Sequence, residues 1–422
     1  MIRPVIGTIA ARIAVAAMNL LVVMAVGHRA GAEGLGGMSL IVLGVTLVLV
    51  LHNAGGAGVL TYLVPRYPLR ALLLRTYAWG VFTAAAAWAL LNLLPIVPKE
   101  HTADVVLLAA LQGVATVHSN VLLGWQRIAA HNLLAVTQAV LLLATYVVLA
   151  ELVGGDLSTF VRAAAIAYAT VVVLSAALLW SLHPSAPPVR LDDRPLGRAL
   201  VGLGGTVQLA NLAQLLNYRL AYWLIEHYRD RSVLGLYSVS TQLAESAWLA
   251  PKSLGTVLYA RVSNDPEAAS QRAATLSVAK ASMAIATAAV LVLALVPDPL
   301  YQALFGREVR GVQSLVLLLA PGIVAMALSQ ALSHYFSGTG RMVHNLAGSS
   351  VGLVATAVLG FLLVPIHGLE GAAITASIAY GANAVYQLVV FLRTTGAGLL
   401  MLLPSASDGR AIAELWRSAR KR

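Results

Sequence analysis

The chain of 422 residues is 59% hydrophobic and 11% charged, with a mean hydropathy of +0.81. Soluble domains carry roughly 25% charged residues, so this much apolar surface cannot be hidden in an aqueous core and must face lipid. The net charge of +11, from 28 Lys and Arg against 17 Asp and Glu, reads as loop charge on a membrane protein and not as a nucleic-acid site, since no basic, aromatic-rich soluble segment accompanies it. With no cysteine, disulfides, thiolate metal sites and a cysteine nucleophile are excluded.

A spanning helix needs about 20 apolar residues. The chain divides into about twelve such stretches: 6–27, 38–59, 76–95, 104–123, 131–152, 160–182, 199–225, 234–256, 275–296, 312–335, 347–365 and 370–392. The first is too long for a signal-peptide core and lacks a convincing cleavage site, so it reads as a retained span. Arg12 lies near its cytoplasmic end, and Asn19, seven residues on, falls on nearly the same face; the two suit a cavity wall.

The second span ends in His52-Asn53-Ala54-Gly55-Gly56-Ala57-Gly58. These glycines permit close packing or local unwinding, and without a following lysine they are no phosphate loop. In the fourth span Gln112, His118 and Asn120 lie deep. His118 is a candidate for ion coupling, against the plainer reading of a histidine with its hydrogen bonds satisfied. The Pro-rich segment 183–198 reads as a cytoplasmic linker between halves.

The seventh span is the richest in polar groups. Gln208, Asn211, Tyr218, Arg219, Tyr222 and Glu226 fall within an arc of about 100° at helical spacing, broadened by Gln214 and Asn217. Such a stripe either bonds neighbouring helices or lines a water-filled cavity. The eighth span repeats the pattern with Ser238, Thr241, Gln242, Glu245, Trp248 and Lys252. Glu245, at about 1.5 Å per residue, lies near the midplane. An Arg219–Glu245 pair follows as an expectation, either a static ion pair or a proton-coupling switch that is released when Arg219 turns to substrate. The outer loop 297–311 holds Asp298, Arg307, Glu308 and Arg310 without a catalytic constellation, and Tyr380, Asn383 and Gln387 share a face of the twelfth span. Beyond 393 a basic tail follows, in which 408–422 reads as an interfacial helix or a frayed end.

With the N-terminus inside, 18 Lys and Arg fall in cytoplasmic segments against 6 outside, which places both termini in the cytoplasm. An internal repeat relates the halves. Leu35-Gly36 opens the second span and Leu234-Gly235 the eighth. Gly124, Arg127, His131 and Asn132 recur as Gly338, Arg341, His344 and Asn345, and Ala167-Tyr168 recurs as Ala379-Tyr380, at offsets of 199 to 214. Six spans precede the repeat, so the repeats are parallel. The expected domains are an N-terminal six-helix lobe at 1–182, a linker at 183–198, a C-terminal six-helix lobe at 199–393 and a tail at 394–422.

The helix from Gly7 to Arg29 is followed by Gly31-Ala32-Glu33-Gly34-Leu35-Gly36-Gly37. Residues 234–251, LGLYSVSTQLAESAWLAP, run into Val257-Leu258-Tyr259-Ala260-Arg261-Val262-Ser263, and Phe336-Ser337-Gly338-Thr339-Gly340-Arg341 closes the tenth span. Over roughly 1–393 these segments resemble the polysaccharide-transporter or O-antigen (Wzx-type) flippase branch of the superfamily that also holds multidrug-and-toxin exporters (MATE) and lipid II flippases. That resemblance implies an all-α integral membrane fold, with two six-helix lobes related by a parallel pseudo-two-fold and forming a V around a central cavity. It also implies alternating access and, as cargo, a polyprenyl-diphosphate-linked oligosaccharide in the cytoplasmic (inner) membrane, with membrane lipids and polysaccharide assembly proteins as partners.

On this reading Arg219, with Arg12, binds diphosphate, because guanidinium pairs with phosphate oxygens bidentately. Asn19, Gln208, Asn211, Tyr218, Tyr222, Gln242 and Trp248 complete the cavity wall, and Glu245 and His118 are the ion-coupling candidates. No cofactor, metal or catalytic residue is expected. Two alternatives stand beside it: a cation-coupled small-molecule or multidrug exporter of the same fold, and a membrane-embedded glycan polymerase or ligase, which would be expected to carry a larger outer loop with catalytic groups.

Overall fold

A computed structural model describes residues 2–54, 60–64, 67–93, 97, 99–182, 196–265 and 267–402. The glycine run 55–59, most of the expected linker (183–195) and the tail 403–422 lie outside the described residues. Among the described residues the chain is helical, without a strand. The helices are α1 (Ile2–Ala54), α2 (Leu60–Leu63), α3 (Leu69–Leu93), α4 (Thr102–Gly124), α5 (Ile128–Val153), α6 (Leu157–Ser181) and α7 (Leu196–Tyr228). They continue as α8 (Arg231–Ser246), α9 (Leu249–Asn264), α10 (Ala268–Leu295), α11 (Asp298–Phe305), α12 (Val312–Gly338) and α13 (Val343–Thr395).

Seven of these helical stretches are long and apolar enough to cross a membrane by length and composition. Two are double: α1 turns at Gly31 (φ 66°) and α13 at Gly368 (φ 55°). Both angles lie in the left-handed region that only glycine enters freely, so each glycine splits one run of hydrogen-bonded turns into two spans. With α3, α7 and the α8–α9 pair, the twelve expected spans are accounted for.

The eighth span is not continuous. α8 ends at Ser246 and α9 begins at Leu249. At the break the Trp248 N–H bonds the Glu245 carbonyl at 3.0 Å and the Ala247 N–H bonds Ala244 at 3.2 Å, both three residues back. Pro251 supplies the reason. It has no N–H to give the Ala247 carbonyl, and its ring crowds the turn four residues earlier.

The chain forms two compact units, 1–239 with 298–312, and 240–297 with 313–422. In the first, α5 packs on α1 and α6, α4 on α3 and α6, and α7 on α1. One of its apolar clusters joins Leu60, Leu63, Leu72, Val117, Val121, Leu122, Leu134 and Val171. In the second, Leu258, Val262, Ala279, Leu332, Tyr335, Phe336 and Phe391 form a comparable cluster.

The repeat is visible in the turns. After α4 the Val121 carbonyl accepts from Trp125 N–H at 3.0 Å and the Leu122 carbonyl from Arg127 N–H at 2.8 Å. After α12 the Tyr335 carbonyl accepts from Thr339 at 2.9 Å and Phe336 from Arg341 at 2.7 Å. Between the donors sit Gln126 (φ 61°) and Gly340 (φ 73°). This is the same Schellman-type stop at an offset of 214. Polar clasps span both turns: Ser119 Oγ with His131 Nδ1 at 2.7 Å, and Asn345 Nδ2 donating to the Ser333 carbonyl at 3.1 Å. The clasp pairs His131 with Asn345, one residue away from the His131–His344 match that the sequence suggests.

Candidate functional site

In the first unit, α7 carries the densest polar stripe. Its buried residues include Asn217, Ala221, Leu224 and Ile225, centred about 120° from the predicted stripe at 100° per residue, together with Gln208 and Tyr222 of the stripe itself. The packing face of this helix therefore takes in part of its polar stripe.

Along the stripe, polar groups bond within α7 itself. Asn211 Nδ2 donates to Gln208 Oε1 at 3.1 Å, and Gln214 Nε2 donates to the Tyr218 hydroxyl at 2.8 Å. Arg219 Nη1 lies 3.5 Å from the Tyr218 carbonyl, with its guanidinium carbon 5.0 Å from the centre of the Tyr222 ring. The contact with Tyr222 is a cation–π pair. Tyr222 is itself buried, edge-on to Tyr237 at 5.8 Å. Gln208, Asn211, Tyr218, Arg219 and Tyr222 are thus held on one helix, as the spacing predicts. Glu226 ends the stripe against Arg231 at 3.1 Å, and Arg231 also reaches Glu100 at 3.5 Å.

The other first-unit candidates are less closely joined. Arg12 and Asn19 are exposed on α1. His118 is buried with both ring nitrogens engaged, Nε2 with the Tyr77 hydroxyl at 2.5 Å and Nδ1 with Ser175 Oγ at 2.7 Å. These contacts pin α4 to α3 and α6. A second buried histidine lacks that satisfaction. His52 fits against Gly80 and Gly113, where an added Cβ would press on its ring, and its Nε2 has no hydrogen-bond partner among the described residues. Sequence reasoning read this region for its glycines; the signal for His52 was a lone polar ring at the apolar end of a span.

In the second unit, Gln242 and Glu245 are half-buried on the last turns of α8, and Glu245 sits at the helix break. Trp248 corrects the sequence reading. It is enclosed at 1% exposure instead of lining an open face, its indole N–H donates to the Ile323 carbonyl at 2.9 Å, and its ring meets Tyr380 edge-on at 5.7 Å. The residue falls at the break, where helical spacing no longer predicts its direction.

The segment of α12 that receives it is also irregular. Pro321 interrupts the ladder, and Ser377 Oγ accepts from Gly322 N–H at 3.2 Å while donating to the Leu318 carbonyl at 2.6 Å. A side chain inserted into a ladder in this way is a recognised cause of bending. Tyr380, Asn383 and Gln387 share the packing face of α13, all buried, and Gln387 Oε1 accepts from Ser329 Oγ at 2.9 Å.

Outside the spans, three carboxyls at helix starts are held below their ordinary range. Asp156 caps α6 through the Thr159 hydroxyl and N–H. Asp230 caps α8 through the Ser232 hydroxyl and the Val233 N–H. Glu100 is lowered first by its own backbone N–H and then by Arg231 and His101. Among the described residues no three His, Asp or Glu side chains are grouped to hold a metal.

The sequence matches no protein-family model and no curated protein. Solved structures do match the fold. An inward-facing multidrug resistance MATE family transporter of the MOP superfamily superposes with a TM-score of 0.72 at 15% identity, over 90% of this chain and 94% of that one. An outward-facing member of that description gives 0.69 at 14%, over 94% and 95%. A variant of the Vibrio cholerae MATE transporter VcmN gives 0.62 at 14%, over 95% and 98%. Nearly the whole chain is covered each time, so it is a multi-pass membrane protein, helical among the described residues, with a MATE-like fold.

Proposed function

We propose that this chain is a flippase that moves a polyprenyl-diphosphate-linked oligosaccharide across the cytoplasmic membrane by alternating access. The observation that carries the reading is the polar stripe of α7, on which the half-buried Arg219 guanidinium is flanked by Tyr218, Tyr222, Gln208 and Asn211. A permanent cation inside a span is costly unless it meets an anion or a water-filled cavity. A guanidinium pairs bidentately with the oxygens of a diphosphate, and the amide and phenol groups beside it suit sugar hydroxyls. Arg12 and Asn19, exposed on α1, extend the same wall in this reading. Glu245 is the ion-coupling candidate in this reading.

The rival within the fold is a cation-coupled exporter of small molecules. The half-buried Glu245 carboxylate at the helix break favours it, as do the multidrug descriptions of the structural neighbours. One experiment separates them. In a strain lacking the gene, loss of surface polymer with lipid-linked repeat units trapped in the inner leaflet supports the flippase. Intact surface glycan with new sensitivity to cationic drugs assigns the chain to export.

A further inference from the structure

Residues 298–312 are short, lie between α10 and α12, and run back into the second unit at both ends. Their packing nevertheless assigns them to the first unit. Four observations describe how they are seated there. Tyr301, Phe305, Val309 and Val312 are buried, at 2%, 1%, 0% and 0% exposure. The Phe305 carbonyl and Gly306 press against Gly27 on α1 so closely that a side chain on Gly27 would strike Phe305 backbone. Asp298 Oδ2 accepts from Gly311 N–H at 2.9 Å and closes the base of the loop. Glu308 Oε2 accepts from the Ala32 N–H at 2.8 Å.

That last bond is specific to the turn. Gly31 leaves the helical path, so the N–H groups that follow it lose their partners on the preceding turn, as at any helix start. Glu308 caps the first of them. A carboxylate at the start of a helix is favoured by the backbone dipoles as well. An added Cβ on Gly31 would collide with the Glu308 carboxylate, so the kink and the cap fit each other.

We propose that residues 298–312 form a releasable latch. An apolar plug, Phe305 seated on α1 with the buried Val309 following it, is fastened by the Glu308 carboxylate on the Gly31 turn. The plug is buried, whereas Glu308 is exposed and its bond to Ala32 only part-buried, and a contact that solvent can reach gives way before a buried one. The inference rests on the transporter reading but not on the identity of the cargo.

The chain has no cysteine, so single cysteines report without background. In lipid nanodiscs, Val309→Cys is treated with a hydrophilic maleimide, alone and combined with Glu308→Ala. Arg307→Cys, exposed, sets the fast limit, and Ala163→Cys, buried at 0%, the slow one. The latch predicts slow but measurable labelling of Val309→Cys, faster by about tenfold with Glu308→Ala, the effect of losing one hydrogen bond to a charged group. Equal rates with and without Glu308 overturn it, as does a parent rate at the fast limit or complete protection in both. If Glu308→Ala also exposes Ala163→Cys, that variant has unfolded. Glu308→Gln, which keeps an acceptor and loses the charge, then takes its place with a smaller expected increase. The labelling needs no substrate, so its failure leaves the flippase reading standing, and failure of the glycan experiment leaves the latch result readable.

Discussion

Gln126 and Gly340 occupy the same place in two copies of one turn, both left-handed at φ 61° and 73°. A left-handed conformation costs a side-chain-bearing residue about 1–2 kcal/mol that glycine avoids. Gln126→Gly is therefore expected to stabilise the protein by about 1 kcal/mol and Gly340→Ala to destabilise it by a similar amount. Denaturation midpoints in one detergent check both. Two substitutions test the transport reading at the same scale. Arg219→Ala should abolish transport while the protein still inserts, and normal activity would remove Arg219 from the site. Glu245→Gln should abolish any proton dependence, and an unchanged pH response would count against the coupling role. Ser377→Ala has a different expected signature. It leaves the Gly322 N–H without its acceptor, at a cost of about 1–3 kcal/mol, which a lowered melting temperature would register.

At the scale of helices, hydrophobic runs were legible because a span must be about 20 apolar residues long, whereas the spacing of the α7 stripe did not show that Gln208 and Tyr222 are buried. The break between α8 and α9 was not foreseen, although Pro251 stands in plain view. A hydropathy window averages over one missing N–H, and only the hydrogen-bond ladder shows where it matters. The same averaging placed Trp248 on the polar face of a continuous helix. Pro251→Ala restores the donor for the Ala247 carbonyl and should let α8 and α9 join. The expected outcome is a more heat-resistant protein with impaired transport, and slow amide exchange at residue 251 would mark the healed ladder. Glu308 was equally hidden: sequence showed a charged loop without a constellation, and its partner Ala32 lies 276 positions away.

For the molecule as a whole, the charges that fix helix starts lie outside the spans and respond to pH together. Asp156, Asp230 and Glu100 all have folded-state values below their ordinary ones. The stability they contribute is fully present above their unfolded values and is lost as pH falls below about 4, through the depressed folded values. Asp156→Asn keeps a capping acceptor and removes the titration, so its midpoint should fall less steeply with acid than that of the parent. The make-up of the two units carries a further consequence, for biosynthesis. The first unit draws on residues 1–239 and then on 298–312. A ribosome making the chain in order therefore delivers α9 and α10 to the membrane before the first unit can close over Gly27. Through that interval Gly27 awaits a neighbour not yet translated. A chain stopped after Tyr228 should consequently engage membrane chaperones or quality-control proteases more strongly than one stopped after Gly338, which already carries the missing piece.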